Sequence, residues 1–327
     1  LSVILIANLL GLLVGRCLLL DVYPSDALKG FISTTKTFNL GLYYGLSIAL
    51  MLAFWHELRS RIARLMVLIL VSINLYMIIM FGVRTVWVAI LMLFFYFFVA
   101  LKRKMIVFSL CLAPVFIVVS ALIFHTDSYV FKSNVYVERA ITKAKSTAVF
   151  VSEQIKQSKS NGVVEEIPSS LEKDRQLKTG FANIVWRKKV WGGAIAFGVE
   201  SPVFGKGFGV YPQYDIWGYR PPIGIGVDSK VVPVHNHLIT IFYKMGIVGL
   251  GLYLFLNGYV FIYGLRNIRK CEDRFMKCFL TGALGAFVYW HTMALAFDVI
   301  DSPPTSIFLW IIMGLVLASV QNEPAIV

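Results

Sequence analysis

Charge is scarce in this chain: 15% of its 327 residues are Asp, Glu, Lys or Arg, against 58% hydrophobic, with a mean hydropathy of +0.74. That leaves too little polar surface to cover a soluble globule of this size, so the chain belongs in lipid. Cysteine is sparse too. Cys17 and Cys111 fall in apolar runs, Cys271 and Cys278 flank a basic loop, and none has the close spacing of a metal site. Neither a disulfide framework nor a zinc site is indicated. There is no long internal repeat and no low-complexity tract. An initiator Met and a basic start are also missing: Leu1 lies directly inside an apolar run, and the chain is expected to be N-terminally truncated.

What is abundant is long apolar runs. Measured against the roughly 20 residues that cross hydrocarbon, eight stretches qualify, at about 2–20, 38–55, 62–82, 85–101, 105–124, 238–263, 278–297 and 305–320. The expected fold is therefore an all-α polytopic membrane protein with eight transmembrane helices. It divides into spans one to five (1–124), a large outer-face loop (125–237) and spans six to eight (238–327).

Orientation follows from the basic residues of the short loops. Arg59, Arg61 and Arg64 gather in one, Lys102, Arg103 and Lys104 in a second, and Arg266, Arg269, Lys270, Arg274 and Lys277 in a third. By the positive-inside rule these loops are cytoplasmic. The remaining loops carry Lys29, Lys36 and Arg84, or Asp298 and Asp301, and alternate with the basic ones. Both termini then lie inside and the long loop outside. The net charge of +13 would point to nucleic acid in a soluble protein. Here much of it sets topology, and no nucleic-acid partner is expected.

Within the long loop, residues 132–160 read as a polar helix and Ser158–Ser170, with Gly162 and Pro168, as a flexible break. A second helix is predicted over Asp174–Val199, where Phe181, Ile184, Val185, Trp191, Ile195 and Phe197 form an apolar stripe able to lie on the membrane surface. Pro202 and the alternating Gly205, Gly207 and Gly209 then forbid regular structure and let backbone amides approach a ligand.

Several residues are able to carry chemistry. His235 and His237 stand where the loop re-enters the membrane. A histidine there serves as a base near neutrality, as an interfacial polar residue, or with its neighbour as part of a metal site in which Asp228 would be the nearest carboxylate. Arg84 sits at the outer end of the fourth span, either snorkelling or matched to an anion such as a diphosphate. Arg187, Lys188 and Lys189 form a basic cluster on the loop helix, and Arg220 precedes Pro221-Pro222. Such clusters are solvated faces, contacts to lipid headgroups, or anion sites. Arg16 and His291 are ionisable groups at membrane depth. Asp298 and Asp301 flank an outer loop and are either a carboxylate pair for a metal or ordinary span ends.

In order, these pieces resemble the superfamily of bacterial inner-membrane glycosyltransferases that contains O-antigen ligases and polysaccharide polymerases. The resemblance is carried by Thr37-Phe38-Asn39-Leu40-Gly41 at a helix start and by Gly82-Val83-Arg84-Thr85 at a helix's outer end. It continues through Arg187-Lys188-Lys189-Val190-Trp191 with Pro202-Val203-Phe204-Gly205-Lys206-Gly207-Phe208-Gly209-Val210-Tyr211, then His235-Asn236-His237-Leu238, and lastly Gly246-Ile247-Val248-Gly249-Leu250. It covers the chain from about Lys29 onward. Two departures stand out: Val83 replaces the usual serine, and Lys244 stands where many relatives carry an acidic residue.

The resemblance implies a GT-C-like fold in the bacterial inner membrane with the large loop periplasmic. It implies transfer of a glycan from an undecaprenyl-diphosphate carrier to a saccharide or lipid A-core acceptor, with neither metal nor cofactor. His235 matches the catalytic base; Arg84, Arg187 and Arg220 are the candidates for holding the diphosphate, with His237, Lys188 and Asn39 secondary. Ligase and polymerase share this chemistry and are not separated. The alternative is a transporter or flippase of lipid-linked glycans, with Arg16, Arg84 and His291 along its pathway; the clustering of unusual residues at span ends and the lack of a repeat weigh against it.

Overall fold

The computed structural model describes residues 37–81, 84–101, 175–210, 212, 234–297 and 303–321. Every regular element among them is helical: α1 (Thr37–Phe54), a 3-10 turn (Trp55–Glu57), α2 (Arg61–Phe81), α3 (Arg84–Leu101), α4 (Arg175–Val199), α5 (His237–Lys270), α6 (Arg274–Ala294) and α7 (Pro303–Gln321). The expected spans at 38–55, 62–82, 85–101, 278–297 and 305–320 correspond to α1, α2, α3, α6 and α7, and the loop helix from Asp174 to α4. The spans at 2–20 and 105–124, the helix at 132–160 and the Ser158–Ser170 break lie outside the described residues.

Arginine or proline marks several of the starts for a plain reason. Arg61 and Arg274 keep a charged head exposed where an apolar run begins, Arg84 opens α3 in the same way along the chain, and Pro303 suits a first helical turn, where its missing N–H costs nothing. By length and composition α2 and α5 each suffice to cross a membrane, and α1, α3 and α7 hold shorter apolar stretches.

The chain forms two compact units. The first contains residues 1–140, 259–293 and 303–327. Its helices approach closely through small residues, as helices in lipid must when no water drives them together. At Gly45 any Cβ would overlap the Tyr289 ring. That ring passes over the glycine, and the Tyr289 hydroxyl donates to the Gly41 carbonyl at 2.6 Å. Trp290 is fully buried and donates from Nε1 to the Thr305 carbonyl at 2.9 Å, and the Tyr96 hydroxyl donates to Thr281 O at 3.2 Å. Each aromatic thus satisfies its one polar atom on a backbone carbonyl of another helix.

The second unit contains residues 141–258 and 294–302. Its centre is a break in α5, near the start of the span expected over 238–263 as one straight helix. Gly246 has φ 66° and ψ −167°, outside helical space. In a straight helix His237 and Tyr253 would lie about 24 Å apart along the axis. Their rings instead meet edge to face with centroids 4.9 Å apart. The piece from His237 to Met245 therefore folds back beside the piece that starts at Ile247. An apolar run is legible as apolar, but its hydropathy is the same whether it is straight or doubled over.

Such a break strands carbonyls at the end of one helical piece and N–H groups at the start of the next. The turn after α4 satisfies both. The N–H groups of Lys206 and Gly207 donate to the carbonyls of Tyr243 (2.7 Å) and Lys244 (2.9 Å), while those of Ile247 and Val248 donate to the carbonyls of Pro202 (2.8 Å) and Val203 (3.3 Å). The turn and the break lie so close that a Cβ on Gly205 would overlap the Lys244–Met245 backbone, and one on Gly246 would overlap Val203. Both glycines also have positive φ, 75° and 66°, which only glycine adopts without strain. Of the alternating glycines read from sequence as an approach to a ligand, Gly205 is here an approach to the chain's own backbone, while a Cβ on Gly207 or Gly209 would meet nothing within 4 Å.

Candidate functional site

The second unit assembles the site from three stretches: the α4 helix, residues 234–237, and the segment just after α6. Trp191 on α4 donates from Nε1 to the Val234 carbonyl at 2.8 Å. Around that bond Ala194, Val234 and Tyr243 are buried together, with Trp191, Phe197 and Ile239 packed against them. Trp191, Ala194 and Phe197 of α4 thus hold down the segment that carries the histidines.

Asn236 begins α5. Its Oδ1 accepts from the Ile239 N–H at 3.1 Å, the bond of an N-cap residue, and the Thr240 N–H closes the first turn onto the Asn236 carbonyl at 3.0 Å. The other end of the same side chain, Nδ2, donates to the Leu295 carbonyl at 2.9 Å. One amide therefore starts the helix and ties it to the segment after α6.

His235, just before this cap, has φ 53°. A side chain in the left-handed region costs about 1–3 kcal/mol and persists only where its surroundings demand it. Here Trp191 fixes residue 234 and the cap fixes residue 236, so the bend falls on His235. Its half-buried imidazole meets the Phe297 ring edge-on with centroids 6.3 Å apart. The Arg187 guanidinium lies over that same ring, 5.7 Å from its centroid. Burial pushes the Arg187 group below the ordinary arginine value. A partly desolvated guanidinium acts more strongly on a nearby anion than one in water, because less solvent screens it.

Of the residues singled out in the sequence, the structure brings together His235 and Arg187. Lys188, next along α4, is exposed. His237 is buried in the fold-back of α5, against Tyr253. Lys244, the departure from the acidic residue of relatives, is buried too, and its ammonium lies 5.9 Å from the Tyr243 ring centroid. Asn39 is in the first turn of α1 and Arg84 is the first residue of α3; both belong to the first unit. In that unit His291 is bonded through Nδ1 to the Phe287 carbonyl one turn earlier at 2.9 Å. Arg16, Arg220, Asp228, Asp298 and Asp301 lie outside the described residues.

Sequence reasoning missed Phe297 and the double role of Asn236. An Asn immediately before an apolar run is a helix-start signal, so the cap was there to be read. Nothing local marks Phe297, whose importance comes from contacts with residues far away in the chain.

No curated protein matches the chain. A family model described as O-antigen ligase matches residues 69–254, which include Arg84, Arg187, the glycine turn, His235 and the Gly246 break. On that match the chain belongs to the O-antigen ligase family, membrane-embedded glycosyltransferases of the ligase and polymerase type that join a lipid-linked glycan to a saccharide acceptor.

Proposed function

We propose that this protein transfers a glycan from an undecaprenyl-diphosphate carrier to a sugar hydroxyl on the periplasmic face of the inner membrane, without a metal, as a ligase or a polysaccharide polymerase. The observation that carries the reading is the pairing of His235 and Arg187 on the two contacts of Phe297. It joins a group able to take a proton near neutrality to a permanent, partly desolvated cation.

The two perform complementary parts of one displacement. The acceptor oxygen forms a bond to the anomeric carbon while the bond from that carbon to the diphosphate oxygen breaks. The hydroxyl proton passes to the His235 imidazole as its oxygen becomes nucleophilic. Negative charge grows on the leaving diphosphate, and Arg187, with Arg84 and Arg220 as further cations, binds it more tightly in the transition state than in the ground state. Single displacement would invert the anomeric centre. Lys188, exposed one residue from Arg187, suits the diphosphate's approach. His237 and Asn39 serve as supports and not as reacting groups.

The test is transfer of lipid-linked glycan in membranes containing the full-length protein, with His235→Ala, Arg187→Ala and Arg84→Ala variants at matched protein levels. Loss of transfer in each is expected; retained transfer in His235→Ala and Arg187→Ala overturns the assignment. A requirement for a divalent ion would redirect it to Asp298 and Asp301. Glycan length then separates the two members of the class. Loss of a polymerase leaves single repeats on the acceptor, and loss of a ligase leaves long chains on the carrier.

A further inference from the structure

The turn that caps the break in α5 has an outward side made of large apolar residues. Phe204 is 77% exposed and Phe208 61%, and Val203 and Val210 are also exposed. Beside them, Ile247 is 63% exposed and Val248 is exposed as well, the first residues of the second piece of α5. The hydrogen bonds from Ile247 and Val248 to Pro202 and Val203 fasten the turn to that point of the helix. A patch of this kind facing water is a liability unless something covers it.

The length of α5 says what does. Beyond the break its apolar side chains, among them Leu252, Phe255 and Ile262, stay exposed, as lipid-facing residues do. The first charge after the break is Arg266, followed by Arg269 and Lys270. From Ile247 to Leu265 the helix is about 28 Å long, close to the roughly 30 Å of hydrocarbon in a bilayer. With Arg266 at one boundary, Ile247 lies at the other, and the turn bonded to it lies at the same depth.

We propose that the turn from Val203 to Val210 is a membrane wedge, whose Phe204 and Phe208 insert among the acyl chains of the leaflet at which α5 enters the bilayer. The insertion holds the break at a fixed depth, because the turn's backbone is bonded to both helical pieces. Lys188 and Lys189 are exposed on α4, which leads into the turn. The inference rests on the reading of α5 as a membrane span.

The test uses the full-length protein with its four cysteines replaced, reconstituted in vesicles of phosphatidylethanolamine and phosphatidylglycerol. Single cysteines at Phe204, Phe208, Phe255 and Lys189 carry an environment-sensitive fluorophore. The expected result is blue-shifted emission at 204 and 208, quenched by nitroxides near the headgroup end of lipid chains and protected from aqueous iodide. Position 255 should respond to deeper nitroxides, and 189 to iodide. Iodide quenching at 204 and 208 while 255 remains lipid-quenched overturns the wedge and leaves the span standing. Protection at 204 from both quenchers, with cross-linking between copies through that cysteine, overturns it in favour of a second copy of the chain. Iodide quenching at 255 as well overturns the span and the wedge together.

Discussion

His237 and Tyr253 belong to one apolar run, yet their rings touch at 4.9 Å because α5 doubles back at Gly246. The contact separates the two neighbouring histidines by environment: His237 is buried inside the fold-back, and His235 meets the Phe297 ring over which Arg187 also lies. Replacing His235 by Ala is expected to lower transfer by roughly 10²–10⁴-fold, the usual contribution of a general base, with little change in stability. His237→Ala is expected to lower stability by roughly 1–3 kcal/mol, in the range of core changes. Transfer rates and thermal unfolding measured on both variants check this. A stable but inactive His237 variant would move the base to that residue.

The φ of 53° at His235 predicts a difference between two variants that both lack an imidazole. Ala keeps the left-handed strain and Gly removes it, so His235→Gly should be more stable than His235→Ala by about 1–2 kcal/mol. Both should be equally inactive. Unfolding midpoints in detergent read the difference.

Phe297 touches both Arg187 and His235, so on the proposed assignment it positions them without itself reacting. Phe297→Ala removes a cation–π contact of about 0.5–2 kcal/mol, which corresponds to a loss of roughly two- to thirty-fold in transfer rate. Phe297→Tyr keeps the ring and should restore most of it, whereas Phe297→Leu keeps bulk alone and should not. Rate constants at saturating donor distinguish this from a loss of folding, which Leu would repair as well as Tyr.

The glycines of the turn should differ in cost. A Cβ at Gly205 or Gly246 meets backbone that has no room to yield, so Gly205→Ala and Gly246→Ala should lose the folded protein from the membrane. At Gly207 nothing lies within 4 Å, and Gly207→Ala should cost only the left-handed penalty of about 1–2 kcal/mol. Protein levels in membranes and unfolding midpoints report the order.

Asn236 is used at both ends of its amide. Asn236→Ala loses the cap, about 1 kcal/mol, together with the tie to Leu295. Asn236→Asp retains the acceptor for the Ile239 N–H and loses the donor to the Leu295 carbonyl. Its stability should recover most of the cap while its transfer rate stays reduced, because the segment bearing Phe297 is no longer held. Parallel unfolding and transfer measurements expose the split.

The helices were legible in the sequence because each carries its own signal. α2 starts on Arg61 and α6 on Arg274, at the basic loops that mark a boundary. α4 shows its apolar stripe, and α7 starts on a Pro pair. Hydropathy and charge are properties of neighbours in the chain, so they determine where helices run and which family motifs follow one another. What they leave open is how one stretch meets a distant one. Gly246 reads as a glycine in a span until the carbonyls of Pro202 and Val203 are seen accepting from the N–H groups of Ile247 and Val248 across it. His235 and Arg187 are 48 positions apart in sequence, and only the fold puts the Phe297 ring against both. The sequence by itself determined an all-helical, lipid-seeking chain of the O-antigen ligase family with a histidine at a helix start. The tertiary structure decided which histidine is presented and which is packed away, because that depends on a backbone reversal whose satisfied hydrogen bonds come from a turn some forty residues earlier in the chain.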